Sequence, residues 1–354
     1  MTRLTELVRR RLSARWLTAV ASALIVAVGV SLPVALTQGI FNQHRSLSGH
    51  QVNAVSVPGT FASAIANTLS LPIAINGVAV TANAVWAVGD RLGKGDRGVL
   101  VRVDPSTGAV VRKIVVGRQP LRIAVSATSI WVANNADDTV SRVSIARSAA
   151  VATIRTRGAP EAVAVSPGAV WIVSGSASNG WLTHVDPATG LVIATISVPP
   201  MAMDVVYANH AIWVASELDG GALTEIDPTT DKVVQSMPLL NVRNPYDIAA
   251  FGNTLAVIGA NNMALDVVNA SPVKVETSIS VPFYTAAVSV DATGVYVASS
   301  GRIVAQFKMS ASGHVNTKSF VSRTLASVAD NATTGLGSVW FASNNKLIRI
   351  PTSR

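Results

Sequence analysis

Cysteine is absent from the 354 residues, which removes disulfides, thiolate metal sites and cysteine nucleophiles from consideration. Charge is scarce at 13% and aromatics reach only 5%, so long solvated helices have little to be built from. The net charge of +9 has no Lys/Arg run behind it after the N-terminus. Residues 1–15 hold five arginines against Glu6, a net of +4, and the other 339 residues share the remaining +5. A nucleic-acid surface needs a basic patch interleaved with aromatics, so no nucleic-acid partner is predicted. What abounds is Val, Ala, Ser and Thr, and hydrophobic residues total 49%. That composition favours many strands around a large core.

One long apolar run stands apart. Residues 16–36 read WLTAVASALIVAVGVSLPVAL, 21 residues without a charge, matching the ~20 that a helix needs to cross a bilayer. The arginines before it should stay cytoplasmic. The competing reading is a cleaved signal peptide, whose apolar stretch is shorter and ends at a small-x-small site; Pro33 at −3 to Ala35 suits cleavage poorly. The sequence therefore predicts a cytoplasmic segment over 1–15, a signal-anchor helix over 16–37, a tether over 38–50 and an extracytoplasmic domain over 51–354, at the cell membrane.

After residue 75 a motif recurs: AVWAVG, SIWVAN, AVWIVS, AIWVAS, TLAVIG, GVYVAS and SVWFAS, with marker positions Trp86, Trp131, Trp171, Trp213, Ala256, Tyr296 and Trp340. Spacings of 40 to 45 residues, with four short strand-like runs per unit, are the signature of propeller blades. Asp104-Pro105-Ser106-Thr107-Gly108 and Asp186-Pro187-Ala188-Thr189-Gly190 are tight turns between third and fourth strands, Gly supplying the positive φ. The seventh unit stops after its third strand. Residues 51–59, QVNAVSVPG, match the outer-strand pattern and are predicted to complete it, closing the ring, with 60–72 as a connection. The expected fold is all-β: a seven-bladed β-propeller of four-stranded blades, closed by an N-terminal strand and preceded by one transmembrane helix.

Trp131 to Val143, WVANNADDTVSRV, followed elsewhere by D-P-x-T-G, resembles the YVTN family of bacterial propellers over about residues 51–351. The resemblance implies a fold rather than an activity. Streptogramin lyases look similar, but their paired histidines and carboxylate around Mg²⁺ have no counterpart here. The pyrroloquinoline quinone-type propellers share the turn but carry a fourth-strand Trp that is missing. No cofactor is predicted.

The strand order places fourth-to-first and second-to-third connections on one face. His210 and His314 fall on the opposite face, His44 and His50 in the tether, and His184 in a third strand. The polar slot that His184 shares with Arg102, Arg142, Glu225, Asp266, Gln306 and Arg349 is read as structural. A histidine-free face speaks against a Ser-His-Asp triad or a His-ligated metal. Gly93 to Gly98 matches G-x-G-x-x-G but joins two strands with no helix following, so a dinucleotide site is not inferred. Counting back from each marker to the start of the inner strand gives Gly77, Arg122, Ala162, Asp204, Asp247 and Ala287, with Ser327 the nearest equivalent in the longer seventh unit. Arg122, Asp204 and Asp247, with Glu161 alongside, should converge at the channel mouth. Asn134, Asp137, Asp138, Glu217 and Asp219 are expected in rim loops. Three functions suit this set: a binding or scaffold module for a protein, a cell-wall polymer or a small molecule; a hydrolase or lyase using the mouth carboxylates; a purely structural envelope protein. The first is the main expectation, with a monomer, no catalytic residue and no metal.

Overall fold

Second strands such as Ser129–Asn134 and Ser338–Ser343 carry only small, β-branched or aromatic side chains, and every position in them is buried. Such runs form the middle of a sheet covered on both sides. The computed structural model, which describes residues 67–91, 97–217, 220–260, 262–325 and 327–352, resolves them into seven four-stranded antiparallel sheets. The inner strands are Ile73–Thr81, Pro120–Val125, Pro160–Ser166, Ala202–Ala208, Pro245–Phe251, Thr285–Asp291 and Asn331–Gly335. Among the described residues no helix is long and apolar enough to cross a membrane; residues 16–37 lie outside them.

The markers make the ring. Trp86 packs with Ile130 and Val132 of blade two, Trp171 with Val205 and Val214 of blade four, and Trp340 with Val78 and Val85 of blade one. The apolar core is thus a set of interfaces between consecutive blades. Each of the five marker tryptophans also satisfies its indole N–H locally: Trp171 Nε1 donates to Ser166 Oγ at 2.8 Å and Trp213 Nε1 to the Ala208 carbonyl at 3.2 Å, as a buried indole requires.

The polar slot lies across from the marker. Arg102, Arg142 and Arg349 stand over Trp86, Trp131 and Trp340 at 5.3 to 5.7 Å, and His184 stacks on Trp171 at 4.2 Å. The polar ends of Arg142, Arg349 and His184 reach the next blade's turn. Arg142 Nη1 donates to the Ala188 carbonyl at 3.2 Å, Arg349 Nη1 to Pro105 at 3.4 Å, and His184 Nδ1 lies 2.9 Å from Asp231 Oδ1. Blade five departs from this: Ala256 faces Val267, and Asp266 faces Val257. Asp266 therefore leaves the slot and accepts the backbone N–H groups of Leu240 and Asn241 at 2.8 and 3.2 Å. With a small marker there is no ring for a polar partner to cover.

The ring closes one short segment later than the sequence pattern indicates. The outer strand of blade seven is Asn67–Ser70, paired antiparallel with Lys346–Pro351 in the register Asn67↔Arg349. Residues 51–59, expected there, lie outside the described residues. Only Leu71 and Pro72 separate this strand from the inner strand of blade one. A tight crossing of that length fixes which blade receives the strand.

Candidate functional site

Six of the inner strands begin with a β-bulge, for example between Ala202 and Asp204 and between Pro245 and Asp247. A bulge re-aims the side chain that follows it. Here it turns the Asp204 and Asp247 carboxylates onto the backbone of the next blade: Ile248 N–H donates to Asp204 Oδ2 at 3.1 Å, and Val288 N–H to Asp247 Oδ2 at 2.9 Å. Val205 N–H donates to Asp204 Oδ1 at 2.9 Å. Arg122 reaches across from blade two, with Nη1 at 2.7 Å from Asp247 Oδ1 of blade five and 3.7 Å from Asp204 Oδ2 of blade four. The three predicted charges do converge.

These groups are nearly dry. Asp204 is 6% exposed and Asp247 3%. Burial, reinforced by the Asp247 carboxylate, pushes Asp204 up to about 7 against the pull of Arg122. Burial works against the Arg122 charge as well, but attraction to Asp204 and Asp247 outweighs it and raises the guanidinium further above its ordinary value, so Arg122 is a fixed cation.

Below the mouth lies a channel of about 320 Å³, lined by inner-strand residues of all seven blades. Val165, Val206, Ile248 and Val290 make apolar wall, with Tyr207, Ser289 and Thr333 as polar points. Blade seven contributes Asn331, whose partner across the sheet is Ala342, the equivalent of the Asp204↔Ala215 pair. Ser327, expected in that place, sits in the crossing before the strand, its hydroxyl buried without a partner. Asn331 stands nine residues before Trp340, the interval that separates Asp204 from Trp213, so blade seven keeps the register of the other blades.

The rim residues divide. Glu161 Oε1 accepts from Asn135 Nδ2 at 3.0 Å, linking blades two and three. In blade one Asn76 Nδ2 donates to Asp90 Oδ2 at 3.1 Å and to the Pro120 carbonyl at 2.9 Å, a link that sequence reasoning missed because Asn76 is the bulge residue itself. Asp137 Oδ1 lies 2.5 Å from Arg118 Nε and Oδ2 accepts the Arg118 N–H at 2.8 Å; these bonds hold its carboxyl below the ordinary range although burial opposes them. Asp138 ends the 3-10 turn Asn135–Asp137 in the left-handed conformation. Asn134 is not on the rim. It is fully buried at the end of a second strand, accepts Gly117 N–H and donates to Ser141 Oγ. Glu217 is also buried, and Asp219 lies outside the described residues.

The same face carries three exposed apolar side chains with no periodic signature: Leu240 at 66%, Met263 at 43% and Tyr284 at 54%. They lie in the three connections around blade five. Val281 N–H donates to the Met263 carbonyl at 2.9 Å, and Asn262 Nδ2 to the Asn241 carbonyl at 3.1 Å, so backbone and side-chain bonds tie these loops together.

No family model matches the chain, and no curated protein does. Solved structures do. A chain of Kuenenia stuttgartiensis hydrazine synthase superposes with a TM-score of 0.68 at 15% identity, over 86% of this chain and 99% of that one. The WD40 β-propeller domain of Doa1 gives 0.64 at 13% identity, over 81% and 96%, and the Neurospora crassa Pan2 WD40 domain 0.62 at 9%, over 80% and 90%. At such identities the likeness is one of fold: the chain folds as a seven-bladed β-propeller like those of WD40 domains.

Proposed function

We propose that this protein is an interaction or scaffold module that engages a partner protein through the face bearing the channel mouth. The observation that carries this reading is the exposed trio Leu240, Met263 and Tyr284 on loops bonded to one another. Aromatic residues and Met on a preformed surface are the anchors that interfaces favour. Polar groups held by short bonds, among them Asp137 and Glu161, would form the rim of that surface, with Arg122, Asp204 and Asp247 at its axis. The fold neighbours include WD40 domains, and the YVTN-like repeat agrees with a binding propeller. The carboxylates are less suited to acid/base work, since each oxygen of Asp204 and Asp247 already has a protein partner.

The sequence of residues 1–37 supports placement outside the cytoplasmic membrane on a single anchor. In that setting the partner is an envelope protein. The test is cross-linked capture from envelope extract with the full chain, comparing wild type, Leu240→Arg/Tyr284→Ala and the opposite-face variant His210→Ala. Species lost with the first variant and retained with the second support the reading; identical capture by all three rejects it.

A further inference from the structure

The channel holds a charge imbalance of its own, separate from the rim. Its lining contains one arginine and two aspartates, a net of −1 once Asp204 as well as Asp247 is ionised, set among valines, isoleucines and alanines. Nη1 of Arg122 serves both carboxylates, closely for Asp247 and at 3.7 Å for Asp204, so Asp204 is the less neutralised of the two. Each carboxylate oxygen has further lone-pair capacity beyond its present partner.

A second feature points into the same space. Asn331 lines the channel and is 3% exposed, yet its side-chain amide bonds to no described residue. Buried amides are normally satisfied by protein or by something bound. Its carbonyl oxygen is an acceptor, and the Asp204 carboxylate lines the same channel, so the lining can take a donor carrying positive charge. The volume of about 320 Å³ falls within the range of small-molecule sites, which are apolar with a few convergent polar groups. Tyr207 adds an aromatic ring to the wall.

We infer that the channel is a binding site for a small organic cation, a primary ammonium on a compact apolar body, with the ammonium between Asp204 and Asn331 and the body against Val165, Val206 and Val290. An anion would meet two carboxylates and raise the imbalance to −2, whereas an ammonium cancels it. A metal ion fits less well: Arg122 occupies the position between the carboxylates, and among the described residues no group of three or more His, Asp or Glu side chains is assembled.

The probe is benzylammonium, with benzyl alcohol and benzoate as neutral and anionic counterparts of the same shape, followed on the full chain by saturation-transfer NMR and calorimetry. Above neutral pH, where Asp204 is ionised, benzylammonium should bind saturably and at least about tenfold more tightly than benzyl alcohol, with benzoate showing no binding. Asp204→Asn should erase the preference for the cation. Because that change touches a buried ion pair, Asn331→Leu and the channel-filling Ala249→Leu are measured too, each checked for an intact thermal transition, and both should weaken benzylammonium. Leu240→Arg/Tyr284→Ala should leave it unchanged, which separates this site from the partner surface. The inference is overturned if benzylammonium fails to saturate, if benzyl alcohol or benzoate binds as tightly, or if folded Asn331→Leu and Ala249→Leu proteins bind it like wild type.

Discussion

Aspartates occupy two regions of this propeller, and the two sets behave in opposite ways. Asp104, Asp186 and Asp227 open the exposed turns between third and fourth strands. Each accepts hydrogen bonds from the residues two and three positions on, as Asp186 does from Ala188 N–H at 2.8 Å and Thr189 Oγ1 at 2.7 Å. Bonds from Ser106, Thr189 and Thr229 hold their carboxyls below the ordinary range, Asp104 at about 2. Asp204 and Asp247 also accept backbone N–H groups, but they are buried beside each other, and burial sends Asp204 upward. The hydrogen bonding is alike; the desolvation and the neighbouring charge are not. Positions that repeat from blade to blade build the ring, and departures from the repeat at one end of the inner strands create a site.

The largest effect should come from removing the cation that the buried pair shares. Arg122→Ala leaves two desolvated carboxylates together, and stability should fall by about 3–5 kcal/mol in chemical denaturation. Adding Asp204→Asn and Asp247→Asn to that variant should recover part of the loss; a triple variant no more stable than Arg122→Ala would show that repulsion is not the cause. The pH dependence separates the two sets more gently. Asp204 has a folded value above its ordinary 3.8, so its contribution is present below 3.8 and is lost as pH rises towards about 7. The turn aspartates have depressed values, and theirs is lost as pH falls below 3.8. Thermal stability should therefore peak on the acidic side of neutrality, and Asp204→Asn should flatten only the neutral limb. A wild-type profile level between pH 4 and 7 would contradict the assignment.

Much of this was legible from the repeat alone. Seven markers gave the blade number, and the alternation of connections gave the faces. A constant count from each marker then brought Arg122, Asp204 and Asp247 together. What escaped were features carried by length and packing. Four residues, NTLS, form the closing strand, too short and polar to outcompete the better alternation of 51–59. Asn331, by contrast, answers to the same nine-residue count before its marker Trp340, so the expectation at Ser327 missed a position that the repeat itself supplies. Asp266 looked like a slot residue because a small marker, Ala256, leaves no aromatic to reveal the shift in pairing. The Leu240, Met263 and Tyr284 trio has no period at all, since loop side chains selected for a surface owe nothing to the sheet.

The turns offer a graded check on the structural side. Arg142→Glu removes a guanidinium that lies over Trp131 and holds the Ala188 carbonyl of the next blade; stability should fall by about 1 kcal/mol, and an unmoved melting temperature would deny the clamp between blades. Asp186→Asn, in the turn that Arg142 grips, should do less. Asn is the same size, can still accept the Ala188 N–H through its amide oxygen, and is at home in such turns. What it lacks is the charge that strengthens those bonds. The expected result is a fall in melting temperature smaller than that of Arg142→Glu, present at neutral pH and shrinking as pH falls from 3.8 through the lowered folded value, below which the wild-type aspartate is itself neutral. A loss that persists undiminished in acid would mean that the turn depends on carboxylate shape rather than charge, and the contrast with Asp204 would then reduce to burial alone.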